Sequence, residues 1–139
     1  MSLRRIAGEE RRLLLAGLAE GYGFDEGALE RYETLESGDE VWAVAPAVIG
    51  LPLQKLHVDS VGILLVRGKT PTVAALQLFA RPNGDAITLN GEGAFTFIER
   101  KPVAVDADDG VHVAFHGGVA LDLGYARAWR LTRIKAPRE

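Results

Sequence analysis

The chain has 139 residues, 47% of them hydrophobic, a formal charge of −3 and no cysteine. That length suits one domain or two small ones sharing an interface, and the missing cysteines exclude disulfides, thiolate metal sites and thiol catalysis, which fits a reducing cytosol. The negative balance excludes a surface coated in positive potential and wholesale electrostatic binding to nucleic acid.

The opening Met1-Ser2-Leu3-Arg4-Arg5 leads into a charged helix rather than an apolar leader. Glu9 to Glu20 reads as that helix, with Leu14, Leu15 and Leu18 as its apolar stripe and Gly21 and Gly23 as stop signals. A short helical turn is expected from Asp25 to Leu29. The period then shifts to two, and Tyr32 to Leu35 and Val41 to Val44 read as strands joined in a hairpin through Ser37-Gly38-Asp39. Leu53 to Val58 and Val61 to Val66 read as two further strands, and their continuous apolar character suggests cover on both faces. No apolar run, Ile63 to Val66 with its immediate neighbours included, comes near the ~20 residues a membrane-spanning helix needs. A soluble, cytoplasmic protein with no membrane partner is expected.

Arg67-Gly68-Lys69 breaks the pattern, and Thr70-Pro71 reads as a helix start, threonine as N-cap and proline at the first helical position. Val73, Leu76, Phe79 and Ala80 would be its buried stripe, and Arg81-Pro82-Asn83-Gly84 its closing turn. Ala86 to Leu89 reads as a short strand, and Asn90 caps a second helix through Phe95 and Ile98. Pro102 to Val105, Val111 to Phe115 and Val119 to Tyr125 read as strands, followed by a basic strand from Arg127 towards Ile134. The division between parts is expected near Gly68, giving units 1–67 and 68–139.

Several chemical motifs fail on spacing. Gly68-Lys69-Thr70 resembles the end of a phosphate loop, but Ile63 stands where that loop needs its first glycine. Gly91-Glu92-Gly93 lacks the third glycine of a dinucleotide site. Asp106 to Gly110 has no glutamate at the position that would complete a calcium loop, so a solvated turn is expected. His112 and His116 would lie ~13 Å apart in a strand, and His57 has no evident triad partner. No catalytic residue, cofactor or metal site is expected, and the protein is not expected to be an enzyme.

Charge is unevenly spread. Glu20 to Glu40 is strongly acidic, whereas Arg127, Arg130, Arg133, Lys135 and Arg138 follow Tyr125 with only Glu139 against them. Arg67 and Lys69 precede the expected helix start, where unpaired N–H groups and the helix dipole favour an anion. Tyr125 and Trp129 among the C-terminal arginines admit two readings: aromatic faces that stack on unpaired bases, or core residues with solvated arginines between them.

The stretch from Leu56 to Pro137 resembles a PUA domain, the small RNA-binding β-barrel, in the form found in Nip-type ribosome biogenesis factors and beside the catalytic domain of some cytosine-5 RNA methyltransferases. The likeness is carried by Val61-Gly62-Ile63-Leu64-Leu65, Pro71 to Leu76, Gly91-Glu92-Gly93-Ala94-Phe95 and Leu123-Gly124-Tyr125-Ala126-Arg127. Tyr22-Gly23-Phe24, Arg31-Tyr32 and Glu40-Val41-Trp42 are similar to the pre-PUA segment of the same relatives. The resemblance implies an α+β protein: a small pre-PUA unit, then a mixed-strand pseudo-barrel with two helices. It implies RNA contacts at Arg67, Lys69 and Arg81 around the first helix, and at Arg127, Arg130, Arg133 and Lys135 near the C-terminus. The pre-PUA segment is shorter here and the chain more acidic than the resemblance would suggest. A non-catalytic protein of rRNA or tRNA maturation is expected, in ribosome biogenesis or RNA modification, with an RNA-modifying enzyme or ribosome assembly factor as a further partner. The alternatives are a protein-interaction adaptor and a detached accessory subunit of an RNA-modifying enzyme.

Overall fold

The computed structural model describes residues 3–55, 62–84 and 86–134. The chain divides into two units, Met1–Ala80 and Arg81–Glu139. Four α-helices and two five-stranded sheets make a mixed α and β protein among the described residues.

In the first unit, β1 (Arg4–Ile6) leads into α1 (Gly8–Tyr22), which begins with Glu9 and Glu10 at its positive dipole end. Gly23 closes it at φ 74°, a left-handed conformation that glycine adopts without a Cβ clash; its N–H donates to the Ala19 carbonyl at 2.9 Å and the Phe24 N–H to the Leu18 carbonyl at 3.3 Å. Leu15 and Leu18 are buried and Leu14 is half-buried, so the apolar stripe faces inward. A single turn, α2 (Glu26–Leu29), follows, with the Asp25 carboxylate accepting from the Ala28 N–H. Then β2 (Glu33–Ser37) and β3 (Glu40–Val44) form the expected hairpin.

Two short 3-10 turns follow β3, Pro46–Gly50 and Leu53–Lys55, and the second replaces the start of the strand expected from Leu53. Pro52 is the reason: its ring fixes φ, and its carbonyl accepts from the Lys55 N–H at 3.0 Å, closing a turn instead of an extended run. The rest of that expected strand, through His57 and Val58, lies outside the described residues. β4 (Gly62–Arg67) pairs with β3 and with β5 (Thr70–Pro71), and the sheet runs β1-β2-β3-β4-β5, antiparallel throughout. Leu65 and Val66 are buried, while Gly62 to Leu64 are half-buried, so full cover is confined to the end of β4.

Thr70 and Pro71 do not open the next helix. They form β5 (Thr70–Pro71) against β4, with Arg67 opposite Thr70 and Gly68 at φ 64° in the tight turn between them. Capping passes to Thr72, whose Oγ1 accepts from the Ala75 N–H at 3.1 Å and donates to the Leu64 carbonyl at 2.6 Å. α3 is therefore Val73–Phe79, burying Ala75, Leu76 and Phe79. Its last residues are tied to the α1–α2 connection: the Asp25 N–H donates to the Phe79 carbonyl at 2.8 Å, and Phe79 stacks on Phe24. These bonds place 68–80 with the first unit, so the division falls after Ala80 and not at Gly68.

In the second unit the sheet order is β6-β8-β9-β10-β7, parallel between β6 and β8 and antiparallel elsewhere. The strands are β6 (Ile87–Thr88), β7 (Val103–Ala104), β8 (Gly110–His116), β9 (Val119–Arg127) and β10 (Arg130–Arg133). Between β6 and β7 lies α4 (Gly91–Ile98), capped as expected by Asn90, whose side-chain oxygen accepts from the Gly93 N–H at 2.7 Å. Phe97 of α4 packs fully buried with Ile87, Leu89, Ala114, Ala126 and Leu131. The single basic strand expected from Arg127 is instead a hairpin: Arg127 ends β9, Arg130 starts β10, and Ala128-Trp129 turns between them. Among the described residues no helix is long and apolar enough to cross a membrane.

Candidate nucleic-acid interface

The β9–β10 turn is built from two non-glycine residues in left-handed backbone, Ala128 at φ 51° and Trp129 at φ 65°. Positive φ at both central positions is the type I′ pattern, whose twist suits a hairpin but which favours Asn-Gly. Each L-residue held there costs on the order of 1 kcal/mol. Two bonds from the preceding loop hold the turn in place. The Ala128 N–H donates to Asp109 Oδ1 at 3.1 Å, and the Val105 N–H donates to the Trp129 carbonyl at 2.9 Å.

What the turn presents follows from register. Arg127 and Arg130 are directly opposite one another, so their side chains leave the same face of the hairpin. Among the described residues neither side chain has an ion pair or hydrogen bond. Two like charges facing each other across a ladder repel, and an anion between them relieves that repulsion. Tyr125, two residues back on the same face, is 47% exposed and sits between Val111 of β8 and Thr132 of β10. Trp129 at the tip is 62% exposed. The core reading of these two aromatics is thereby overturned. On the opposite face Ala126 and Leu131 enter the core.

The other expected contacts are placed differently. Arg133 falls on the core-side face, where its Nε donates to Asp122 Oδ2 at 2.8 Å and its Nη1 to the Ile98 carbonyl at 3.2 Å. With side chains only 22% and 11% exposed, Arg133 and Asp122 form a partly buried structural pair. Arg67 Nε donates to Glu40 Oε2 at 3.1 Å across the first sheet. Lys69 is exposed in the β4–β5 turn. Strand β5 separates both from α3, whose first turn is capped by Thr72, so the helix-start anion site expected beside them is not formed. Arg81 is exposed at the start of the second unit. Lys135 lies outside the described residues.

A cleft of about 640 Å³ opens beside the hairpin turn, lined among others by Leu89, Asn90, Ala104, Asp106, Asp108 and Trp129. The sequence reading missed it because its walls come from four separate segments. His112 and His116 are engaged separately, His112 Nε2 with the Asp108 carbonyl and His116 Nδ1 with the Leu89 carbonyl, each at 2.8 Å. Compared with known proteins, the sequence matches no family model and no curated protein.

Proposed function

We propose that the protein is a non-catalytic RNA-binding protein of PUA type, with a pre-PUA segment before it, acting in the maturation of ribosomal or transfer RNA. One observation carries the reading. Two guanidinium groups without a partner among the described residues, Arg127 and Arg130, flank an exposed tryptophan at a braced hairpin tip, with exposed Tyr125 on the same face. Phosphates suit the arginines, whose planar forks bind anionic oxygens bidentately. Unpaired bases suit the aromatic faces, which stack on them independently of sequence. The resemblance noted from Leu56 to Pro137 supports the same class of ligand and suggests an RNA-modifying enzyme or an assembly factor as a companion.

An electrophoretic mobility shift with purified rRNA fragments and tRNA at moderate salt tests this directly. The full chain should give a discrete shift, and R127E/R130E should weaken it by about tenfold or more, since reversed charges repel the phosphates they had held. No shift with either RNA overturns the reading and leaves the protein-interaction adaptor in its place.

A further inference from the structure

The cleft beside Trp129 has a chemical character of its own. Among the described residues its lining contains no lysine or arginine, whereas Asp106 and Asp108 are exposed in it. Among the described residues neither carboxylate has a partner. An ionised carboxylate only accepts hydrogen bonds, so a phosphate is repelled here and a donor-rich group is favoured. Asn90 lines the same cleft. Its side-chain oxygen is taken by the Gly93 N–H at 2.7 Å, which leaves its amide NH₂ as a donor.

A bare cation and a nucleobase both offer donors, and the surrounding charge separates them. Arg130 stands directly opposite Ala104, a residue of the cleft wall, and Arg127 stands opposite Arg130. A free cation approaching Trp129 meets these two guanidinium groups. A nucleotide instead meets complementary chemistry twice, its phosphate at the arginines and its base at the indole and carboxylates. Trp129 also occupies a left-handed position that glycine would fill without strain, so the side chain itself accounts for the residue there.

We infer that this cleft takes a single unpaired guanine base of the bound RNA, with its ring on the Trp129 indole and its donor edge on Asp106 and Asp108. Guanine presents two adjacent donors, N1–H and N2–H₂, that match the two oxygens of one carboxylate, and its O6 accepts from an amide such as that of Asn90. Uracil has one donor between two acceptors, and adenine and cytosine each have a single amino group there. The inference rests on the RNA-binding reading and adds to it a base preference and a pocket.

Trp42, the only other tryptophan, is buried in the first unit, so quenching by a stacked base reports on Trp129. The test titrates the full chain with the RNA pentamers UUGUU, UUAUU, UUCUU and UUUUU, following both anisotropy and tryptophan fluorescence. UUGUU should bind about tenfold tighter than UUUUU, as one good bidentate base contact implies, and should quench most strongly. D106N/D108N should erase the preference while keeping residual binding, and W129F should lose the fluorescence change. Equal affinity for all four, with binding still abolished by R127E/R130E, overturns the guanine pocket and leaves RNA binding standing. Quenching by spermidine or an arginine-rich peptide with no base effect makes the cleft a cation site and also overturns it. No binding to any pentamer or to folded RNA removes both readings together.

Discussion

Gly124 lies where β9 crosses the core. A Cβ added there would sit 2.7 Å from Leu131 Cδ1 and 2.9 Å from Phe97 Cε1, with both side chains already fully buried. G124A should therefore destabilise the protein by about 1–3 kcal/mol through overpacking, read as a lower urea midpoint. Arg133 offers a contrast with its neighbours in sequence. Because its guanidinium is committed to Asp122 and the Ile98 carbonyl, R133Q should lower stability by about 1–3 kcal/mol. RNA affinity should change little in that variant. In the sequence Arg127, Arg130 and Arg133 read alike as basic positions, because composition does not reveal on which face a strand residue lies. The face is set by register, and register here depends on where the turn falls.

At the scale of elements, legibility followed local chemistry. The α1 stripe, the helical turn at Asp25 to Leu29, the Asn90 cap and the β2–β3 hairpin were readable because each rests on neighbours within a few residues. The Thr70-Pro71 helix start failed because pairing of β5 with β4 outweighed a capping preference, and Thr72 took the cap two residues later. The β9–β10 turn was illegible because Ala-Trp carries no turn signal; its conformation is imposed by the loop bonds to Asp109 and Val105. Replacing it with the residues that type I′ turns favour, A128N/W129G, should raise stability by about 1–2 kcal/mol in thermal or urea unfolding. The same variant should bind RNA more weakly, since the stacking face at the tip is gone.

Arg4 links elements of the first sheet to α1, pairing with Glu10 at 2.8 Å and Glu36 at 3.1 Å. Hydrogen bonding from Arg4 holds the Glu10 carboxyl below the ordinary glutamate value of 4.5. A carboxyl whose pKa is lower folded than unfolded contributes stability above the unfolded value, and that contribution disappears as pH falls through the folded one. The urea midpoint should thus drop on acidification from just above 4.5 downward, less so in E10Q. Because these side chains are solvent-exposed, high salt should flatten the difference.

For the whole molecule, a net charge of −3 and two braced arginines at one hairpin describe local rather than global attraction to an anion. The amino-acid pattern conveyed the mixed α and β class and an RNA-binding expectation, but not the cleft. Gly84, Asn90, Asp106 and Trp129 come together only through the β10–β7 and β6–β8 pairings, which join residues distant in the chain. Counterion release gives the central claim its most direct measurement: the slope of log binding constant against log salt concentration for RNA, compared between the natural chain and R127Q/R130Q. If these two side chains hold phosphates, the slope should become shallower by about 1.4–1.8 in the variant. Identical slopes and identical affinities would contradict the account.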